Sequence, residues 1–228
     1  MGHLATGPPT LNFLVNDDLI HYRHPMYFWR KRYFETLRDI AREAGATPEW
    51  SRYAAYCLEC ERGFRQRAFA ILDRFISSME RAEFGERRRF VSWLLTRAEE
   101  RDGREVLLPH PLRLRVVEPT LLEWTIVEPE CSEPHRWLGG HDDLERAVEL
   151  DPSDQLARRK LVVSLLGQVG YATHELPIGY LGVASEDMAK LDRIESLLAR
   201  LQSEGDRSGL LLEVEEQRAL IGNYLRGK

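Results

Sequence analysis

The chain has 228 residues, 43% hydrophobic and 30% charged, with a formal net charge of −5; this is the composition of a soluble globular protein with room for one sizeable core or two small ones. It excludes a largely disordered chain, and the lack of any apolar run near the length of a bilayer span excludes a transmembrane helix. The start, Met1-Gly2-His3-Leu4-Ala5-Thr6-Gly7-Pro8-Pro9, has neither the basic opening nor the continuous apolar core of a signal peptide. Three cysteines, Cys57, Cys60 and Cys131, are too sparse and too odd for a disulfide scaffold, so a reducing, cytoplasmic location without membrane contact is expected.

Residues 1–25, with their Gly, Pro and Asn-Asp pairs, read as a loose leader. From Met26 to Ala44 the apolar residues Tyr27, Trp29, Tyr33, Phe34, Leu37, Ile40 and Ala41 recur at helical spacing, and Gly45 ends the run. Thr47-Pro48-Glu49 suits a helix start with Thr47 as cap and Pro48 in the first turn. That helix is predicted over Glu49 to Glu61, bending near Gly63 and resuming through Ala68, Leu72, Phe75, Ile76 and Met79. A further helix is predicted over Glu86 to Glu100, burying Phe90, Val91, Leu94 and Leu95. After Asp102-Gly103 the helical period fails, and prolines with β-branched residues predict an irregular or extended linker over 102–118. Helix returns at Pro119 to Val127. Gly167 and Gly170 are expected to interrupt the chain before a glycine-rich, aromatic loop from Tyr171 to Gly182. Two amphipathic helices, Ser185 to Leu201 and Leu210 to Leu225, follow. Domains are therefore expected at 1–101 (a mildly basic helical bundle) and 119–228 (an acidic helical region), joined by 102–118. Residues 21–104 hold 18 Lys+Arg and 13 Asp+Glu, leaving 14 and 24 for the rest of the chain. Such polarity suits docking of one half on the other, or steering of a charged partner.

Within the acidic half, Pro134-His135-Arg136-Trp137-Leu138-Gly139 leads into Leu144, Ala147, Val148 and Leu150, and Asp151-Pro152 stops that helix. Ser153 or Asp154 then caps the next, whose apolar face carries Leu156, Leu161 and Leu165. The run Ala-Val-x-Leu-Asp-Pro-x-Asp-x-x-Ala-x-x-x-Leu resembles the second helix and junction of a tetratricopeptide (TPR) unit at about 134–166. The resemblance implies a helical hairpin stacked in an array. A single unit cannot bury its own face, so neighbouring helices must cover it. The fold class is all-α.

Four constellations bear on chemistry. His21-x2-His24 with Cys57-x2-Cys60 has the ligand types of a tetrahedral zinc site; equally, the cysteines are small core residues and the histidines part of a leader. His174 and Glu175 are candidates for a general base with an orienting carboxylate, although neighbours on an extended chain point to opposite faces; the alternative is a loop closing over the hairpin. Arg62, Arg65, Arg67, Arg74, Arg81 and the run Arg87-Arg88-Arg89, with Phe64 and Phe90, have the composition of a nucleic-acid surface, but interleaved acids favour intrahelical ion pairs. The dense aromatics around Trp29, Arg30 and Tyr33, together with Trp137, Tyr171 and Tyr180, suit core packing or a protein-binding hot spot. No phosphate-cradling glycine loop, nucleophile elbow or metalloprotease helix is present, and no cofactor is expected.

The expected function is thus a non-catalytic module that binds one protein partner through Trp29, Arg30, Tyr33, Arg87, Arg88, Arg89, Trp137, Tyr171 and Tyr180. It would act as an adaptor or, by analogy, as an immunity-type inhibitor occluding a bacterial toxin. The alternatives are an enzyme working at His174 and Glu175, and nucleic-acid binding through the arginine face.

Overall fold

The computed structural model describes residues 31–101 and 104–227. Among them every regular element is helical and no strand occurs, so the fold is all-α. The described residues up to Pro129 form one compact unit, and those from Glu130 onward form a second.

In the first unit, α1 (Lys31–Gly45) buries Leu37, Ile40, Ala41 and Ala44, which recur every third or fourth residue and so share one face. A single 3-10 turn, Pro48–Trp50, follows; Pro48 opens it as expected, but the Thr47 side chain makes no capping bond. Next come α2 (Ser51–Glu61) and α3 (Arg65–Met79). The reversal between them uses Gly63 at φ 80°, a left-handed conformation open to glycine at little cost. The fourth helix, α4 (Phe84–Glu100), brings Phe90 into an aromatic core, its ring 5.2 Å from Tyr53 and 4.9 Å from Phe75.

The expected extended linker is instead helical and belongs to this first unit. It forms α5 (Arg104–Leu107), α6 (His110–Leu112) and a five-residue π turn over Arg113–Val117, and runs into α7 (Glu118–Val127), where a helix was expected. The π turn explains the misreading, because its extra residue shifts the apolar register: Leu112, Val116, Val117, Leu121 and Trp124 are all buried, yet do not keep a plain 3.6-residue period. Pro119 in the second position of α7 cannot donate, and the Glu118 N–H reaches back to the Arg113 carbonyl. The wider turn relieves the clash a proline ring makes in a regular helix. Burial of each of these aliphatic side chains contributes about 1.5–3 kcal/mol. Two tyrosines pin the segment further, the hydroxyls of Tyr53 and Tyr56 donating to the carbonyls of Leu107 at 2.7 Å and Val106 at 2.8 Å.

The second unit contains α8 (Ser132–Leu138), α9 (His141–Leu150), α10 (Gln155–Thr173), α11 (Ala184–Leu198) and α12 (Glu204–Arg226). Each helix packs on the next, and α10 also meets α8 and α12, so consecutive helices form packed pairs compatible with a repeat-like array. Gly139, at φ 73°, ends α8. Asp154 caps α10 as expected, accepting from the Ala157 N–H at 2.9 Å. Gly167 and Gly170 do not break α10. Leu165, Leu166, Val169 and Ala172 are buried along the same stretch, and their burial outweighs the roughly 1 kcal/mol that a mid-helix glycine costs. Arg158, 3% exposed, donates to the carbonyls of Pro152 and Arg200 and so ties the turn before α10 to the turn after α11. No helix among the described residues is long and apolar enough to cross a membrane.

Candidate functional site

Between α10 and α11 the chain runs through residues 174–183 without regular structure, but it is firmly held. The N–H groups of Leu176, Gly179 and Leu181 donate to the carbonyls of Thr173, Glu175 and Ala172 at 3.0, 3.1 and 3.0 Å. The Tyr180 hydroxyl donates to Asp187 Oδ2 at 2.8 Å, and Lys190 Nζ holds Oδ1 of the same carboxylate at 2.8 Å. Asp187 is only 2% exposed, so these two donors satisfy a buried charge. Burial first, and then the hydrogen bond to Asp187, push the Tyr180 phenol well above its ordinary pKa, keeping it a neutral donor. Its ring stacks on Tyr224 of α12 with centroids 5.0 Å apart. The Thr173 hydroxyl donates to Gln217 of the same helix at 2.6 Å. At Gly182 the backbone approaches so closely that a Cβ would lie 2.5 Å from Asp187 Oδ2 and 2.9 Å from the Ala172 methyl.

A segment this well anchored normally buries its large apolar residues, and from the last turn of α10 through the loop this one does not. Tyr171 is 67% exposed, Ile178 92%, Leu181 51% and Val183 52%. The inward side chains Tyr180 and Asp187 lock the backbone, while these four apolar side chains stay exposed. Of the residues expected to bind a partner, Tyr171 is among these exposed side chains, while Tyr180 is half-buried as an anchor.

His174 and Glu175 meet, contrary to the expectation for an extended chain. The chain turns here, which brings His174 Nε2 to 3.0 Å from Glu175 Oε1. Nδ1 lies 2.5 Å from the Tyr171 carbonyl, and the imidazole is 5.1 Å from the Tyr171 ring. The side chains are 46% and 50% exposed, and water screens the pair. The arrangement closes the end of α10 rather than enclosing a reacting group.

The arginine run is largely committed to internal pairs. Arg87 binds Glu123 at 2.7 Å, and Arg88 binds Glu128 while lying 5.3 Å over the Trp124 ring. Arg62 and Arg67 share the buried Glu59 at 3.1 and 3.3 Å. Arg89 is exposed; Phe90 is fully buried and Phe64 half-exposed. Trp137 is corrected from contact to core. It is 3% exposed, its indole N–H donates to Glu133 at 3.2 Å, and Arg136 and Lys160 lie 4.8 and 4.4 Å from its ring, joining α8 to α10. Tyr33 is half-buried on α1, and Trp29 and Arg30 lie outside the described residues.

His21 and His24 also lie outside them, so the described residues hold only the cysteine half of the candidate zinc set. Cys57 is buried and Cys60 half-buried, and burial pushes both thiols up, away from the thiolate that binds metal. No group of three or more metal-ligating side chains occurs among the described residues.

Sequence reasoning missed Ile178, Leu181 and Val183, although a signal was present: three aliphatic residues within a Gly- and Pro-broken stretch have no periodicity to place them on a buried face. It also missed the exposed apolar side chains of α7, where Leu122 is 42%, Ile126 80% and Val127 54% exposed. Compared with known proteins, the chain matches no family model, no curated protein and no solved structure.

Proposed function

We propose that this protein is a non-catalytic interaction module that binds a protein partner through the outer face of the loop from Tyr171 to Val183. It would act by occluding the partner, as an adaptor or an immunity-type inhibitor, in the cytoplasm. The observation that carries the reading is the exposure of Tyr171, Ile178, Leu181 and Val183 on a backbone fixed by Tyr180, Asp187 and Tyr224. Large apolar side chains left exposed along 171–183 mark an interaction site, and a backbone already rigid loses little entropy on binding. The TPR-like hairpin then serves as the scaffold that presents the loop, not as a peptide groove. The internal pairing of Arg87 and Arg88 and the solvent at His174 and Glu175 weigh against the nucleic-acid and enzyme readings.

The test is affinity capture from source lysate with the tagged wild type and an Ile178→Asp/Leu181→Asp variant, both checked for the same circular dichroism. A stoichiometric protein retained by the wild type and lost from the variant is expected. A partner held equally by both, or an eluate of nucleic acid alone, would overturn the reading.

A further inference from the structure

We propose that the loop face takes a cationic peptide segment bearing large apolar side chains. This rests on the loop as the binding surface and adds the chemistry of what it binds. The apolar centre is formed by Tyr171, Ile178, Leu181 and Val183. Its rim is acidic. Glu175 is half-exposed, and Glu186, in the first turn of α11, is exposed with no ion-pair partner among the described residues. The nearby Lys190 is already committed to the buried Asp187, and the His174 ring contacts Glu175 and the Tyr171 carbonyl. The field at the rim is therefore negative, and residues 130–228 reinforce it with 18 Asp+Glu against 12 Lys+Arg. A cationic segment is steered toward such a surface, and an arginine has the exposed Tyr171 ring available for a cation–π contact.

The same charges discriminate among occupants. A second copy of this chain would bring acidic rim against acidic rim as water leaves, so self-association is opposed; a nucleic acid is repelled outright. Aliphatic and aromatic exposure without a basic rim likewise disfavours an anionic lipid surface.

The experiment uses the full chain and two labelled 15-residue amphipathic peptides with identical leucines, one with lysines and one with glutamates on the polar face, followed by fluorescence anisotropy. The lysine peptide is expected to bind at least about tenfold more tightly than the glutamate peptide, with the margin shrinking between roughly 50 and 200 mM salt. Ile178→Asp should abolish binding, and Glu175→Lys/Glu186→Lys should reverse the preference between the peptides. Equal binding of both peptides, no binding of the lysine peptide, lysine-peptide binding that survives Ile178→Asp, or an unreversed preference would each overturn the proposal. So would a concentration-dependent dimer in sedimentation that Ile178→Asp dissociates. Those results would leave the loop's role to the capture experiment, because a partner lost with Ile178→Asp/Leu181→Asp is scored there whatever its charge.

Discussion

Replacing Tyr180 with Phe tests whether the loop face is built in advance of binding. The substitution keeps the ring, and hence the 5.0 Å stacking on Tyr224, and removes only the hydroxyl that donates to Asp187 at 2.8 Å. Asp187 is 2% exposed and keeps Lys190 at 2.8 Å, so the loss is one charge-assisted bond at an otherwise paired buried carboxylate. Such a bond is worth about 1.5–3 kcal/mol. Water reaching the partly exposed tyrosine will recover some of it, which places the expected cost near 2 kcal/mol, or about 30-fold in the equilibrium for loop opening. The assay is native-state hydrogen exchange read at individual amides. Leu181, bonded to the Ala172 carbonyl at 3.0 Å, and Gly179, bonded to Glu175 at 3.1 Å, should lose protection by that factor. Amides in the middle of α4, in the other unit, should not change. Unaltered protection at Leu181 would refute the claim that Tyr180 and Asp187 hold the loop.

Gly182→Ala should loosen the same loop by a different route, since the new methyl would press on Asp187 and Ala172; faster proteolysis within 174–183 with little change in overall helicity is expected, and unchanged proteolysis would contradict the close approach. Asp154→Ala removes both the α10 cap and the 2.8 Å pair with Arg136, costing about 3 kcal/mol in urea unfolding, whereas Asp154→Asn keeps the cap and should cost about half as much; equal losses would deny the pair its share. Stability should fall above about pH 9, the ordinary thiol value, because burial raises the thiols of Cys57 and Cys60 and the phenols of Tyr53, Tyr56 and Tyr180, and the unfolded chain releases protons that the folded one retains. The slope is up to about 1.4 kcal/mol per pH unit for each group, and a flat thermal midpoint from pH 9 to 11 would contradict it.

What the sequence disclosed follows from where local chemistry decides structure. The stripe of Leu37, Ile40, Ala41 and Ala44, the Gly63 reversal and the Asp154 cap each depend on neighbours in the chain, and each was legible. The 104–118 stretch was not, because its helix depends on a π turn at Arg113–Val117 that only the packed first unit stabilises. Read locally, Pro109 and Pro111 outvote the apolar side chains; read with Tyr53 and Tyr56 donating across fifty or more residues of chain, they do not.

The loop face was hidden for a related reason. Tyr171 and Tyr180 look equivalent in the sequence, two tyrosines bounding one glycine-rich stretch, but Asp187 and Tyr224 draw Tyr180 inward and leave Tyr171 out. That division of labour is what turns a loop into a surface. An inward tyrosine with a buried carboxylate bears the cost of fixing the backbone before any partner arrives, so that Ile178, Leu181 and Val183 meet it already placed. If the division is real, loop opening and partner binding must weaken together in Tyr180→Phe, while Ile178→Asp weakens binding alone.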